Sequence, residues 1–93
     1  MSDGATRARR TRARDAAIRE LVKQSCLVWD VTRPGGPMTL VAYNPDVPVL
    51  REIYVCLDGK VTPSVAKLHR RRGVSLEFWR RNSGETNFAV TKL

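Results

Sequence analysis

The chain has 93 residues, with 17 Lys and Arg against 9 Asp and Glu, a formal net charge of +8. That length allows one small domain, and an apolar content of 42% excludes a wholly disordered polyelectrolyte. No apolar run approaches the ~18–20 residues of a membrane span, and two cysteines with one histidine make neither a disulfide framework nor a structural zinc cluster.

Residues 1–12 carry no large apolar side chain other than Met1 and predict a disordered basic arm, followed by a single domain over 13–93. Asp3 and Asp15, and the lack of an apolar face, distinguish this start from an organellar transit peptide. No apolar signal stretch follows the start, so a cytoplasmic, nucleoid-associated protein is expected, with both thiols free. A helix is predicted from about Ala13 to Gln24, where Ile18, Leu21, Val22 and Ser25 follow the i, i+3, i+4, i+7 rule beside Ala17.

Cys26 to Val31 is β-branched and aromatic and reads as a strand. Arg33-Pro34-Gly35-Gly36-Pro37 is a turn, and Met38 to Tyr43 is a second strand. Asn44 to Pro48 breaks it, and Arg51 to Asp58 forms a third. Thr62 followed by Pro63 predicts a helix start, with the helix reaching about Arg72. Ser75 predicts the cap of a second short helix bearing Leu76, Phe78 and Trp79, ended by Ser83-Gly84. Asn87 to Leu93 reads as a final strand. The expected fold is a single-domain α/β architecture in the order α-β-β-β-α-α-β, a mixed central sheet flanked by helices. Trp29, Phe78, Trp79 and Phe88 are expected in its core.

The basic residues are clustered. Arg7, Arg9, Arg10, Arg12 and Arg14 crowd the start, with Arg19 on the first helix, Arg70-Arg71-Arg72 in the middle and Arg80-Arg81 later. Guanidinium groups make forked contacts to phosphate oxygens, and clusters of them gain affinity for a polyanion by releasing its counterions. These residues are the candidate nucleic-acid contacts, fixing position rather than reading bases.

Asp58-Gly59-Lys60 ends the third predicted strand. Residues i and i+2 of a strand share a face, so a carboxylate and an ammonium would point into one site. The carboxylate can ligate a divalent metal and the ammonium can steady a developing phosphate charge. A strand exit by an Asp-Gly turn is the plainer reading of the same triplet.

In its order of elements the chain resembles the PD-(D/E)xK (restriction-endonuclease-like) nuclease fold, and within it the archaeal-type Holliday-junction resolvases. Arg19-Glu20-Leu21-Val22, Thr39-Leu40-Val41-Ala42, Cys56 to Thr62, Leu76 to Arg81 and Phe88 to Thr91 carry the resemblance, over about residues 15–93. It implies Asp58 and Lys60 as catalytic residues, Asp58 as ligand of a Mg²⁺ ion, a homodimer, and DNA rather than RNA as partner, without a membrane. Two family acidic positions depart: the helix Glu falls at Ile18 and the second-strand Asp at Thr39. Glu20 is about 200° around the helix from Ile18 and is expected to face solvent. Asp46 is expected in a hairpin turn far from Asp58, Thr39 roughly opposite Asp58, and Asp30 on an adjacent strand. The resulting expectation is a protein that binds branched or duplex DNA with weakened or lost catalysis. The alternatives are an active Mg²⁺-dependent structure-specific endonuclease, an RNA-binding protein, and a helix-turn-helix regulator suggested by Ser64 to Leu68 and Gly73-Val74-Ser75. His69 is expected as a phosphate contact or surface residue.

Overall fold

The computed structural model describes residues 3–57, 73–81 and 87–92, with side chains from Arg7 onward. Asp58, Lys60, the expected helix over 62–72 with His69 and Arg70 to Arg72, and Ser83-Gly84 lie outside the described residues.

The chain opens with one helix, α1 (Asp3–Lys23), longer than the sequence suggests. Residues 3–12 are its first turns rather than a disordered arm. Alanine and arginine are strong helix formers, and a packed segment downstream supplies the nucleus that an isolated arm lacks. Ala13, Ala17 and Leu21, spaced i, i+4, i+8, are fully buried, and Ile18 packs beside them. Val22, expected on this stripe, is 58% exposed. The helix closes with a Schellman motif: Cys26 N–H donates to the Leu21 carbonyl (3.1 Å) and Ser25 N–H to that of Val22 (3.0 Å). Ser25 takes the left-handed conformation there (φ 64°).

Five strands follow: β1 (Leu27–Asp30), β2 (Met38–Asn44), β3 (Val47–Leu57), β4 (Val74–Arg81) and β5 (Ala89–Lys92). They form one mixed sheet in the order β1-β2-β3-β4-β5, with β3 and β4 parallel and every other neighbouring pair antiparallel. The β1–β2 connection turns at Arg33-Pro34-Gly35-Gly36, where Gly36 N–H donates to the Arg33 carbonyl at 2.9 Å. Pro34 presets the second position, and Gly35 (φ 74°) supplies the positive angle a type II turn demands at the third. In the β2–β3 hairpin Asn44 pairs with Val47, so Pro45 and Asp46 are the loop, and the Asn44 side chain accepts from Asp46 N–H (2.9 Å).

The largest departure is β4. Ser75, Leu76, Phe78 and Trp79 lie on a strand, not a helix. The run Leu76-Glu77-Phe78-Trp79 is buried on both sides because β4 is an interior strand, where apolar residues need not alternate. Leu76 and Phe78 join Tyr54 on the face away from α1, while Glu77, Trp79 and Arg81 share the helix face. That face carries the main core: Met38, Leu40, Ala42, Ile53, Val55 and Trp79 under α1. Trp29, expected in the core, is 51% exposed, because β1 is an edge strand and Trp29 alternates with the helix-facing Val28.

Candidate nucleic-acid interface

The helix packs mainly over β1, β2 and β3, with Trp79 of β4 in the same core. Beyond buried Glu77 and Trp79, the strip of Phe88, Val90 and Lys92 along β5 is the floor of a groove whose wall is the flank of α1. The groove between them has a volume of about 780 Å³. Arg19, Glu20, Lys23 and Gln24 line it from the helix; Arg51, Glu77, Trp79, Arg81, Phe88, Val90 and Lys92 line it from the sheet side.

Arg51 and Glu77 hold its base. Glu77 is fully buried. It accepts a forked pair from Arg51, Nε to Oε2 at 2.7 Å and Nη2 to Oε1 at 2.9 Å, and a third bond from Trp79 Nε1 at 3.0 Å. Burial alone would push the Glu77 carboxyl up, but the Arg51 and Trp79 hydrogen bonds outweigh it and hold the group below its ordinary range. The Arg51 guanidinium is pushed up, first by its hydrogen bond to Glu77. Arg51 Nη1 also donates to Gln24 Oε1 (2.9 Å), tying the sheet to the end of α1. A glutamate inside an otherwise apolar run is the sequence signal that could have found this pair, since a buried carboxylate demands a partner.

With Arg51 and Glu77 neutralising each other, Arg19, Lys23, Arg81 and Lys92 line the groove together with one further carboxylate among the described residues, Glu20. Glu20 is exposed as expected and accepts from Gln24 Nε2 (3.4 Å). Arg12, seven residues before Arg19, continues this flank, and its carbonyl accepts from Arg81 Nη1 (3.3 Å). Lys23, Arg51 and Lys92 were not singled out from sequence. They reach the groove only because three separate elements meet there.

The other arginines divide. Arg7, Arg10 and Arg14 lie on the opposite flank of α1, around a small hollow of about 130 Å³ with Thr11, Thr32 and Met38. Arg10 donates to the Gly36 carbonyl (3.0 Å), and Arg14 pairs with Asp30 and Asp15, both at 3.4 Å. Arg10 and Arg14 are thus engaged within the fold. Asp30 is thereby engaged as well. Burial would raise its carboxyl, but Thr32's hydrogen bonds and the Arg14 charge lower it below its ordinary range. Arg9 is half-buried and Arg7 exposed. Arg80 and Arg81 separate, because neighbouring strand residues face opposite sides: Arg81 enters the groove, whereas exposed Arg80 lies beside Cys56 on the far face.

Ile18 packs against the core, and the Thr39 hydroxyl donates to the Pro37 carbonyl (3.0 Å). Neither fits the metal ligand that the nuclease family has at its position. Thr39 pairs with Tyr54 on β3. Asp46 occupies the hairpin loop at the far end of β3, roughly 30–35 Å from Leu57 for an extended strand. Among the described residues, no three His, Cys, Asp or Glu side chains cluster as a metal site, and no helix is long and apolar enough to cross a membrane. No family model, curated protein or solved structure matches the chain.

Proposed function

We propose that the chain binds nucleic acid, DNA in branched or duplex form, by holding backbone phosphates along the α1 flank and the rim of the groove beside it. The observation that carries this is the convergence of Arg19, Lys23 and Lys92 on one groove in which, among the described residues, Glu20 is the only carboxylate besides the Arg51-paired Glu77. Such a surface suits a chain of phosphates spaced along a line, and its attraction is independent of base sequence. The resemblance to resolvase-like nucleases rests on the sequence alone, and its Leu76 to Arg81 piece is a strand where the family has a helix. The side chains at Ile18 and Thr39 favour a binding role with catalysis weakened or lost. Asp58 and Lys60 remain the residues through which any Mg²⁺-dependent cleavage would act. Assembly as a homodimer is part of the same proposal.

The test is the salt dependence of binding to a labelled four-way junction and a matched duplex. Three neutralised phosphates, for Arg19, Lys23 and Lys92, give a slope of log K against log[salt] near −2.7, roughly a 40-fold loss between 50 and 200 mM salt. A slope worth fewer than about two phosphates overturns the proposal. The same substrates incubated with Mg²⁺ are expected to remain intact. Cleavage that disappears in Asp58→Ala would replace the binding role with an active endonuclease.

A further inference from the structure

Resting on that reading, we infer that the groove itself takes a single unpaired strand, so that a DNA carrying a single-stranded tail or arm is held more tightly than a fully paired one. The dimensions support this. Glu77 and Trp79 of β4 are buried, so the exposed floor is the strip of Phe88, Val90 and Lys92 along β5, one strand spacing or ~5 Å wide. A duplex carries its two backbones across grooves of ~6 and ~12 Å with base pairs between them. It could rest on the rim of such a step but not reach the floor. One sugar-phosphate chain can, and about 780 Å³ accommodates a short stretch of it.

The lining has matching chemistry. Arg19 and Lys23 on the wall and Lys92 on the floor make no hydrogen bond or ion pair among the described residues, which leaves their charge for phosphates. Between wall and floor cations lies apolar surface: Val90 is 46% exposed and Phe88 is half-buried against Trp79, ring centroids 5.3 Å apart. Duplex phosphates have no use for apolar surface at the bottom of a cationic trench. An unpaired base has, because its faces are free, and cations combined with apolar or aromatic surface are the general solution for single strands.

The experiment compares a short oligothymidine, a blunt duplex and the same duplex bearing an oligothymidine tail, by fluorescence anisotropy at one salt concentration. The tailed duplex is expected to bind about tenfold more tightly than the blunt one, the effect of one well-placed base contact. Val90→Asp and Lys92→Gln, checked by circular dichroism for an unchanged fold, are expected to abolish that preference, whereas Arg33→Gln on the distant β1–β2 turn retains it. Equal binding of tailed and blunt duplex overturns the inference while leaving nucleic-acid binding in place. A preference that survives both groove variants also overturns it. Failure of all three probes to bind overturns the proposed function itself.

Discussion

Replacing Glu77 by Gln tests whether the charged base of the groove holds the fold together. The carboxylate is fully buried and accepts two bonds from Arg51 and one from Trp79. Glutamine keeps the shape but presents one acceptor oxygen and an N–H₂ group, which meets donors only. Arg51 is then left mostly buried without a counter-charge, a situation that costs about 3–5 kcal/mol. A chain of this length has a total stability of roughly 5–14 kcal/mol, so the loss is a large fraction of it. At about 4–8 °C per kcal/mol, thermal unfolding followed by circular dichroism should shift down by at least about 12 °C. Replacing both partners, Arg51→Met with Glu77→Leu, should recover most of that loss, because two apolar side chains leave no unpaired charge. A Glu77→Gln protein melting within about 3 °C of the parent, or a double variant no better than the single, would refute the reasoning. Acid supplies a second readout. The Glu77 pKa is lowered in the fold, so its contribution is fully present above its unfolded value near 4.5 and is lost as pH falls through the lower folded value. Melting temperature should therefore fall less steeply on acidification in Glu77→Gln than in the parent.

Ser25→Gly relieves the left-handed strain at the end of α1 and should raise stability by about 0.5–1 kcal/mol in urea unfolding; a loss would mean that the Ser25 side chain contributes something the backbone does not show. Ala17 faces the sheet with no exposure, and Ala17→Leu should cost about 1–3 kcal/mol by prising the helix off β2 and β3, measured as a lower urea midpoint at unchanged slope. Burial pushes the Cys56 thiol up against the opposing charge of Arg80, so its alkylation should be slow at neutral pH and accelerate on going alkaline. Arg80→Gln removes that opposing charge and should slow Cys56 alkylation further at a given pH, read by mass spectrometry.

Much of the architecture was legible in local chemistry. Pro34-Gly35 specifies a type II turn through its own backbone angles, Asn44-Pro45-Asp46 closes the next hairpin by a side-chain hydrogen bond, and Ala17, Ile18 and Leu21 mark the buried stripe of α1. Residues within a few positions of one another decide these features, so no distant contact is needed to read them. The strength of the positive charge, the departures at Ile18 and Thr39 and the remoteness of Asp46 were likewise open to sequence reading.

Tertiary structure decided the rest. Leu76-Glu77-Phe78-Trp79 fits a short capped helix locally; it becomes a strand because β3 and β5 satisfy its backbone on both edges and both of its faces enter core clusters. Arg80 and Arg81 look like one cluster along the chain and are parted by the strand's alternation. The groove exists because α1 lies over one side of the sheet and leaves Val90 and Lys92 of β5 exposed beside it, and its base is tied by residues 26 positions apart, Arg51 and Glu77. Charge and turn propensity belong to single residues and short segments, whereas a cavity and a buried ion pair belong to elements brought together by packing, which is why only the folded chain displays them.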